Sequence, residues 1–189
     1  MTTARMGAGE GGHNGVSRYP CRAAAEIYHP LWRLLMNLPT FTVEELESEV
    51  RELTFSKFDQ ADAYRLGTIA AEMIAARGYS LAVQIVIGEQ VVFKAALGGV
   101  SDATDSWLRR KAALARLDGV SSLLVRLRNE AAGTSFDDRG LPKAEFAAHG
   151  GAFPIRVDGA VVGTLTASGL EDVVDHQVVA AAIRQFLQV

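Results

Sequence analysis

The chain has 189 residues, 49% of them apolar and 22% charged, with a formal net charge of −3. That length suits one domain with a real core. No apolar run approaches the roughly 20 residues a membrane helix needs, and the acidic balance offers no basic footprint for nucleic acid or an anionic membrane. The single cysteine, Cys21, excludes an internal disulfide and fits a reducing compartment, so a cytoplasmic location is expected.

Residues 1–35 read as a disordered extension. Five glycines fall between Gly7 and Gly15, and Arg18, Arg22 and Arg33 are scattered without helical or strand period. His29, Pro30 and Arg33 interrupt the apolar cluster that a secretory signal would need. Regular structure begins at Met36, which suggests a native start at that methionine, with residues 36–189 forming a single α+β domain.

Thr42 followed by Glu45 has capping-box spacing and opens an acidic surface helix. A second helix is expected from a cap at Asp59 to a stop at Gly78, with Leu66, Ile69, Ala70 and Met73 on its inward face. "LAVQIVI" and "VVFKAAL" are strands joined by "GEQ". A three-residue loop would set Gln84 opposite Lys94, and a two-residue turn beginning at Gly88 would put them on opposite faces.

Helices follow at about Ala103 to Leu117, capped by Ser101 or Asp102, and at Ser122 to Ala131, capped by Ser121. A polar loop leads to a short helix over "PKAEFAAH", bounded by Pro142 and Gly150. "FPIRV" and "AVVGTLTA" then flank Asp158-Gly159, a strong hairpin signal. Val161, Val162, Leu165 and Ala167 make both faces of that last strand apolar, so helices are expected on both sides of the sheet. A final helix runs from Asp172 to Leu187. Two hairpins require antiparallel pairing, which gives a three-layer α/β/α arrangement around an antiparallel sheet.

Two charges intrude on apolar stripes. On the helix "WLRRKAALARL", Lys111 lies mid-stripe among Trp107, Leu108, Leu114 and Ala115, with Arg109, Arg110 and Arg116 at or beyond its edge. Asp175 shares the inward face of the last helix with Val178, Val179, Ala182, Ile183 and Phe186. Lysine can snorkel past Trp107, and a first-turn carboxylate suits the helix dipole. The alternative is one polar pocket lined by both, its cation offered to a small anionic ligand. His149 suits a helix C-terminus, and His176 lies near the edge of the last helix's buried face. Four histidines without ligand spacing give no metal motif, and no catalytic group is identified. Gly150, Gly151 and Gly163 mark close backbone approach, to a ligand or to a neighbouring helix.

"RRKAAL", "GVSSLLVRL", "HGGAFPIRVDGAVVGTLTASG" and "DHQVVAAAI" resemble the HbpS/GlcG-like domain family, often labelled haem-degrading. The chain is most similar to that family's uncharacterised bacterial and fungal branch, with its W-x-x-R-K, S-S and A-x-H-G-G-x-F-P-I patterns, over roughly Glu45 to Leu187. The resemblance implies a profilin-like or PAS-like sheet, homo-oligomers, and haem as a ligand of some relatives. The matched positions include Trp107, Arg110, Lys111, Ser121, Ser122, His149, Gly150, Gly151, Pro154, Gly163, Ser168, Gly169, Asp175 and His176. His149 and His176 are candidate iron ligands because imidazole commonly binds haem iron. The expected function is an oligomeric binding protein for haem or another small anionic ligand, with a non-catalytic oligomeric adaptor as the alternative.

Overall fold

The computed structural model describes residues 38–188, within the second of two compact units into which the chain divides, Leu38–Val189. The expected extension at residues 1–35 and the suggested start at Met36 lie outside the described residues.

Helix α1, Val43–Glu52, opens with the expected capping box: Thr42 Oγ1 accepts from Glu45 N at 3.1 Å, and Glu45 Oε2 accepts from Thr42 N at 2.7 Å. Helix α2, Gln60–Ala76, has the same device built from Asp59 and Asp62, and the chain leaves it through Gly78 at φ 63°. Strands β1, Leu81–Ile87, and β2, Gln90–Leu97, are joined by a two-residue turn with Gly88 at φ 56°. Both halves of the register question resolve together. Val92 is an extra, bulged residue, so Gln84 faces Lys94 even though the turn is the short one.

Helices α3, Thr104–Asp118, and α4, Ser122–Ala131, follow as expected. Ser121 Oγ accepts from Leu124 N at 3.2 Å and caps α4. The start of α3 differs, since neither Ser101 nor Asp102 caps it through a side chain. The helix expected over Pro142 to His149 is absent. Its place is taken by a single 3₁₀ turn upstream, Phe136–Arg139, and by a turn in which the Pro142 carbonyl accepts from Glu145 N and Phe146 N. Eight residues are too few to hold a helix unless packing supports it, and here Ala147 N instead donates to the Arg110 carbonyl at 3.2 Å.

Strands β3, Ala152–Val157, and β4, Ala160–Ser168, flank Asp158 and Gly159, both at positive φ as the tight hairpin turn requires. Helix α5, Asp172–Leu187, closes the described chain. The sheet is antiparallel throughout, in the order β2-β1-β4-β3. Leu81, Val83, Ile85, Phe153, Ile155, Leu165 and Ala167 share one face and pack on α2 and α5, forming the main core. The other face carries Gln84, Lys94, Thr164 and Thr166 and is covered by α3, with Lys94 reaching Asp105 at 2.7 Å. A smaller core joins α1 to α4 and α5 through Leu46, Leu123, Leu124 and Val173. No helix among the described residues is long and apolar enough to cross a membrane.

Candidate functional site

Helices α3 and α5 pack against opposite faces of the sheet, yet Lys111 and Asp175 meet. Lys111 Nζ donates to Asp175 Oδ2 at 2.8 Å and to the Ala167 carbonyl at 3.1 Å, while Asp175 Oδ1 accepts from Leu170 N at 3.0 Å. The side chains are 3% and 2% exposed. Lys111 therefore does not snorkel, and its ammonium is spent on protein oxygens. Burial pushes the Asp175 carboxyl up to about 6, against the lowering effects of Lys111 and the Leu170 N–H. At neutral pH the carboxylate is ionised and paired.

The glycines explain how the two charges come together. Gly151 has φ 115°, and a Cβ there would stand 2.5 Å from the Ala167 oxygen, 2.8 Å from Asp175 Cβ and 3.0 Å from Lys111 Nζ. A Cβ at Gly150 would stand 2.3 Å from the Asp172 oxygen, and one at Gly163 would stand 2.3 Å from the Val86 oxygen. All three positions are small because the protein's own backbone or side chains occupy the space. Ser168, also buried, ends β4 opposite Ala82 beside this junction.

The remaining expected site residues fall into two further groups. Trp107, Arg110 and His149 form an outward stack: the Arg110 guanidinium lies 4.0 Å from the Trp107 ring centroid, and His149 meets the same indole edge-on at 5.0 Å. Arg110 Nη1 donates to the Lys143 carbonyl at 2.9 Å. His149 Nδ1 lies 3.9 Å from Asp172 Oδ2, which also accepts from Gly150 N at 3.1 Å and faces Arg126 Nε at 3.0 Å. His149 is thus placed by a loop and the first turn of α5, with no preceding helix to supply a dipole.

His176 sits deeper than the edge position expected from its wheel, at 0% exposure. Its Nε2 donates to Glu49 Oε2 at 2.8 Å, and Glu49 Oε1 accepts from Arg184 Nη2 at 2.9 Å. Phe41 packs edge-on against the imidazole at 5.0 Å. The imidazole Nδ1 has no hydrogen-bond partner among the described residues. Burial raises the Glu49 carboxyl, and the bonds and charges of His176 and Arg184 overcome it, leaving the group below its ordinary value.

Glu49, Asp172, Arg126 and Arg184 escaped the sequence reading. Glu49 was the most accessible of these, since it follows Leu46 by three residues on the inward face of α1. A groove of about 350 Å³ lies elsewhere, lined by Phe55, Lys57, Asp62, Arg65 and Phe186 among others, and includes none of the expected site residues. No cluster of three or more metal-binding side chains occurs among the described residues.

A four-stranded antiparallel sheet between helices, carrying a buried lysine–aspartate junction and a histidine-bearing loop ahead of β3, defines an α+β domain of profilin-like architecture. A family model described as "Haem degrading protein HbpS-like" matches residues 58–184, and the chain belongs to that family. It is 43% identical over 148 residues to a UPF0303 protein of Streptomyces avermitilis, covering 77% of this chain and 91% of that one. It is 38% identical over 143 residues to a UPF0303 protein of Burkholderia orbicola, covering 75% and 87%. Among solved structures, the protein Ybr137w superposes with a TM-score of 0.71 at 25% identity, over 84% of this chain and 94% of that one. HbpS superposes at 0.57 with 18% identity, over 71% and 92%, and a PduOC:heme complex at 0.59 with 17% identity, over 67% and 92%. These last two likenesses are of fold.

Proposed function

We propose that this chain is a binding protein for a flat anionic tetrapyrrole of the haem type, seated on the outward face formed by Trp107, Arg110 and His149. One observation carries the choice of face. Of the two histidines within the described residues, His149 exposes 46% of its side chain, whereas His176 exposes none and is bonded to Glu49. A ligand reaches the first without moving a helix. The second requires α1 to open.

The residue types of that face fit the ligand. An indole gives flat apolar surface, a guanidinium pairs with carboxylates such as propionates, and an imidazole is a common haem-iron ligand. The interior does not fit it, since Gly151 is enclosed by Lys111 and Asp175 at contact distance and their charges satisfy each other. Lys111, Asp175, Gly150 and Gly151 therefore lie behind the site, inside the fold, and Ser168 ends the strand beside them. Membership of the HbpS-like family and the fold shared with a protein solved as a heme complex support the ligand class. Bound haem would supply iron redox chemistry; binding is the function proposed, with no ring-opening step assigned to any residue. A cytoplasmic homo-oligomer is the assembly and setting proposed for it.

Haem added to the purified apo-protein at micromolar concentration is expected to give a shifted Soret band. Arg110→Ala should weaken the apparent affinity by about tenfold or more, the worth of a charge-assisted hydrogen bond. The adaptor reading draws its support from the Lys111–Asp175 pair, whose charges are consumed in packing. Absence of any Soret shift in the wild type would favour it.

A further inference from the structure

We propose that the groove between the start of α2 and the last turn of α5 is a second ligand site, one that takes a small carboxylic acid with an aromatic body. The groove encloses about 350 Å³, at the small end of ligand pockets, which suits a molecule of about one or two rings. It lies on the α2 and α5 side of the sheet, whereas Trp107 and Arg110 belong to α3 on the other face, so the proposal does not rest on haem binding. Its apolar wall is made of rings held in place by the fold. Phe55 N donates to the Arg156 carbonyl at 2.9 Å and bridges to Val157, which pins the segment before α2 to the edge of β3 and leaves Phe55 only 4% exposed. The Phe55 ring meets Phe186 at 5.8 Å, tilted by 48°, and Phe58 braces the two from 5.0 and 6.3 Å.

The charged residues of the lining are Lys57, Asp62 and Arg65, and their burial decides which sign the groove offers. An ordinary surface ion pair leaves both partners in water. Here the Asp62 side chain is 5% exposed and that of Arg65 is 65% exposed. Both Asp62 oxygens are engaged within the protein: Oδ2 accepts from Asp59 N at 3.2 Å, and Oδ1 accepts from Arg65 Nη2. Among the described residues Arg65 makes no other hydrogen bond, which leaves the rest of its planar fork for a second carboxylate. Lys57 is exposed and makes no hydrogen bond or ion pair among the described residues. Two positive charges against one negative leave a single accessible cation uncompensated, the complement of a monocarboxylate. The Arg65 guanidinium lies over the Phe186 ring, 5.5 Å from its centroid, so an ammonium ligand would compete for a face already taken by a cation. Phe55 and Phe186 beside these cations favour a flat ring as the body of the acid.

A titration of the full chain with sodium benzoate at fixed ionic strength, followed by amide chemical shifts, tests it. Saturable shifts should appear in the millimolar range at Phe55 to Lys57, Asp62 to Ile69 and Gln185 to Gln188. Acetate, which has the charge without the ring, and benzyl alcohol, which has the ring without the charge, should each bind more weakly than benzoate, and benzylamine should not saturate. Lys57→Gln alters an exposed side chain with no bonds to lose and should weaken benzoate about fivefold. Adding Arg65→Gln should remove saturation altogether, with the same spectra reporting whether that variant is folded. Shifts that stay linear in benzoate through the millimolar range, saturation by benzylamine at equal concentration, or a benzoate affinity unchanged in Lys57→Gln would each overturn the proposal.

Discussion

At Lys111 and Asp175, two ions that would be costly to bury alone are buried together. Removing one partner strands the other, so Lys111→Met should destabilise the protein by about 3–5 kcal/mol in urea unfolding. The double variant Lys111→Met with Asp175→Leu should recover most of that loss, because an apolar pair of similar volume avoids desolvating two charges. The pair also sets a pH dependence. Asp175 holds its proton more tightly when folded, so its contribution to stability is complete below about 3.8 and is lost as pH rises through about 6. Between those values Asp175→Asn should show a flatter stability profile than the wild type, as measured by unfolding midpoints. Both inward charges were legible in the sequence as interruptions of an apolar stripe. Their union was not, because helical periodicity describes each helix alone, and the opening between them depends on the backbone angle of Gly151.

At the scale of elements, α1 is fastened to α5 by a buried network in which His176 and Arg184 share the two oxygens of Glu49. Glu49 has a lowered pKa, so its stabilising effect is present above its ordinary value of 4.5 and is lost as pH falls through the folded value. Glu49→Gln should raise amide exchange across Val43–Glu52 at neutral pH and remove part of the acid sensitivity of that helix. Unchanged exchange would mean that apolar packing of Leu46 suffices. Caps and turn residues made most elements readable in advance. The segment from Pro142 to His149 was not, since proline and glycine at suitable places signal helix ends whether or not tertiary contacts favour a helix between them. The β1–β2 register was equally hidden, because a bulge at Val92 adds the residue that the short turn lacks.

For the whole molecule, the expected site divides into a sealed junction, a buried clamp and an outward face. The proposed binding surface is the outward face, Trp107 with Arg110 and His149, outside the layers of the fold. The sequence named residues from all three parts because each carries a polar or small residue in an apolar context, and composition does not distinguish a charge that serves packing from one that serves a ligand. The most direct measurement is a haem titration followed at the Soret band in three proteins: the wild type, His149→Ala, and the interior double variant Lys111→Met with Asp175→Leu. The shift should appear in the wild type, persist in the interior variant and disappear in His149→Ala. A shift that survives His149→Ala unchanged, or that is lost in a folded interior variant while His149 is intact, would contradict the placement of the site.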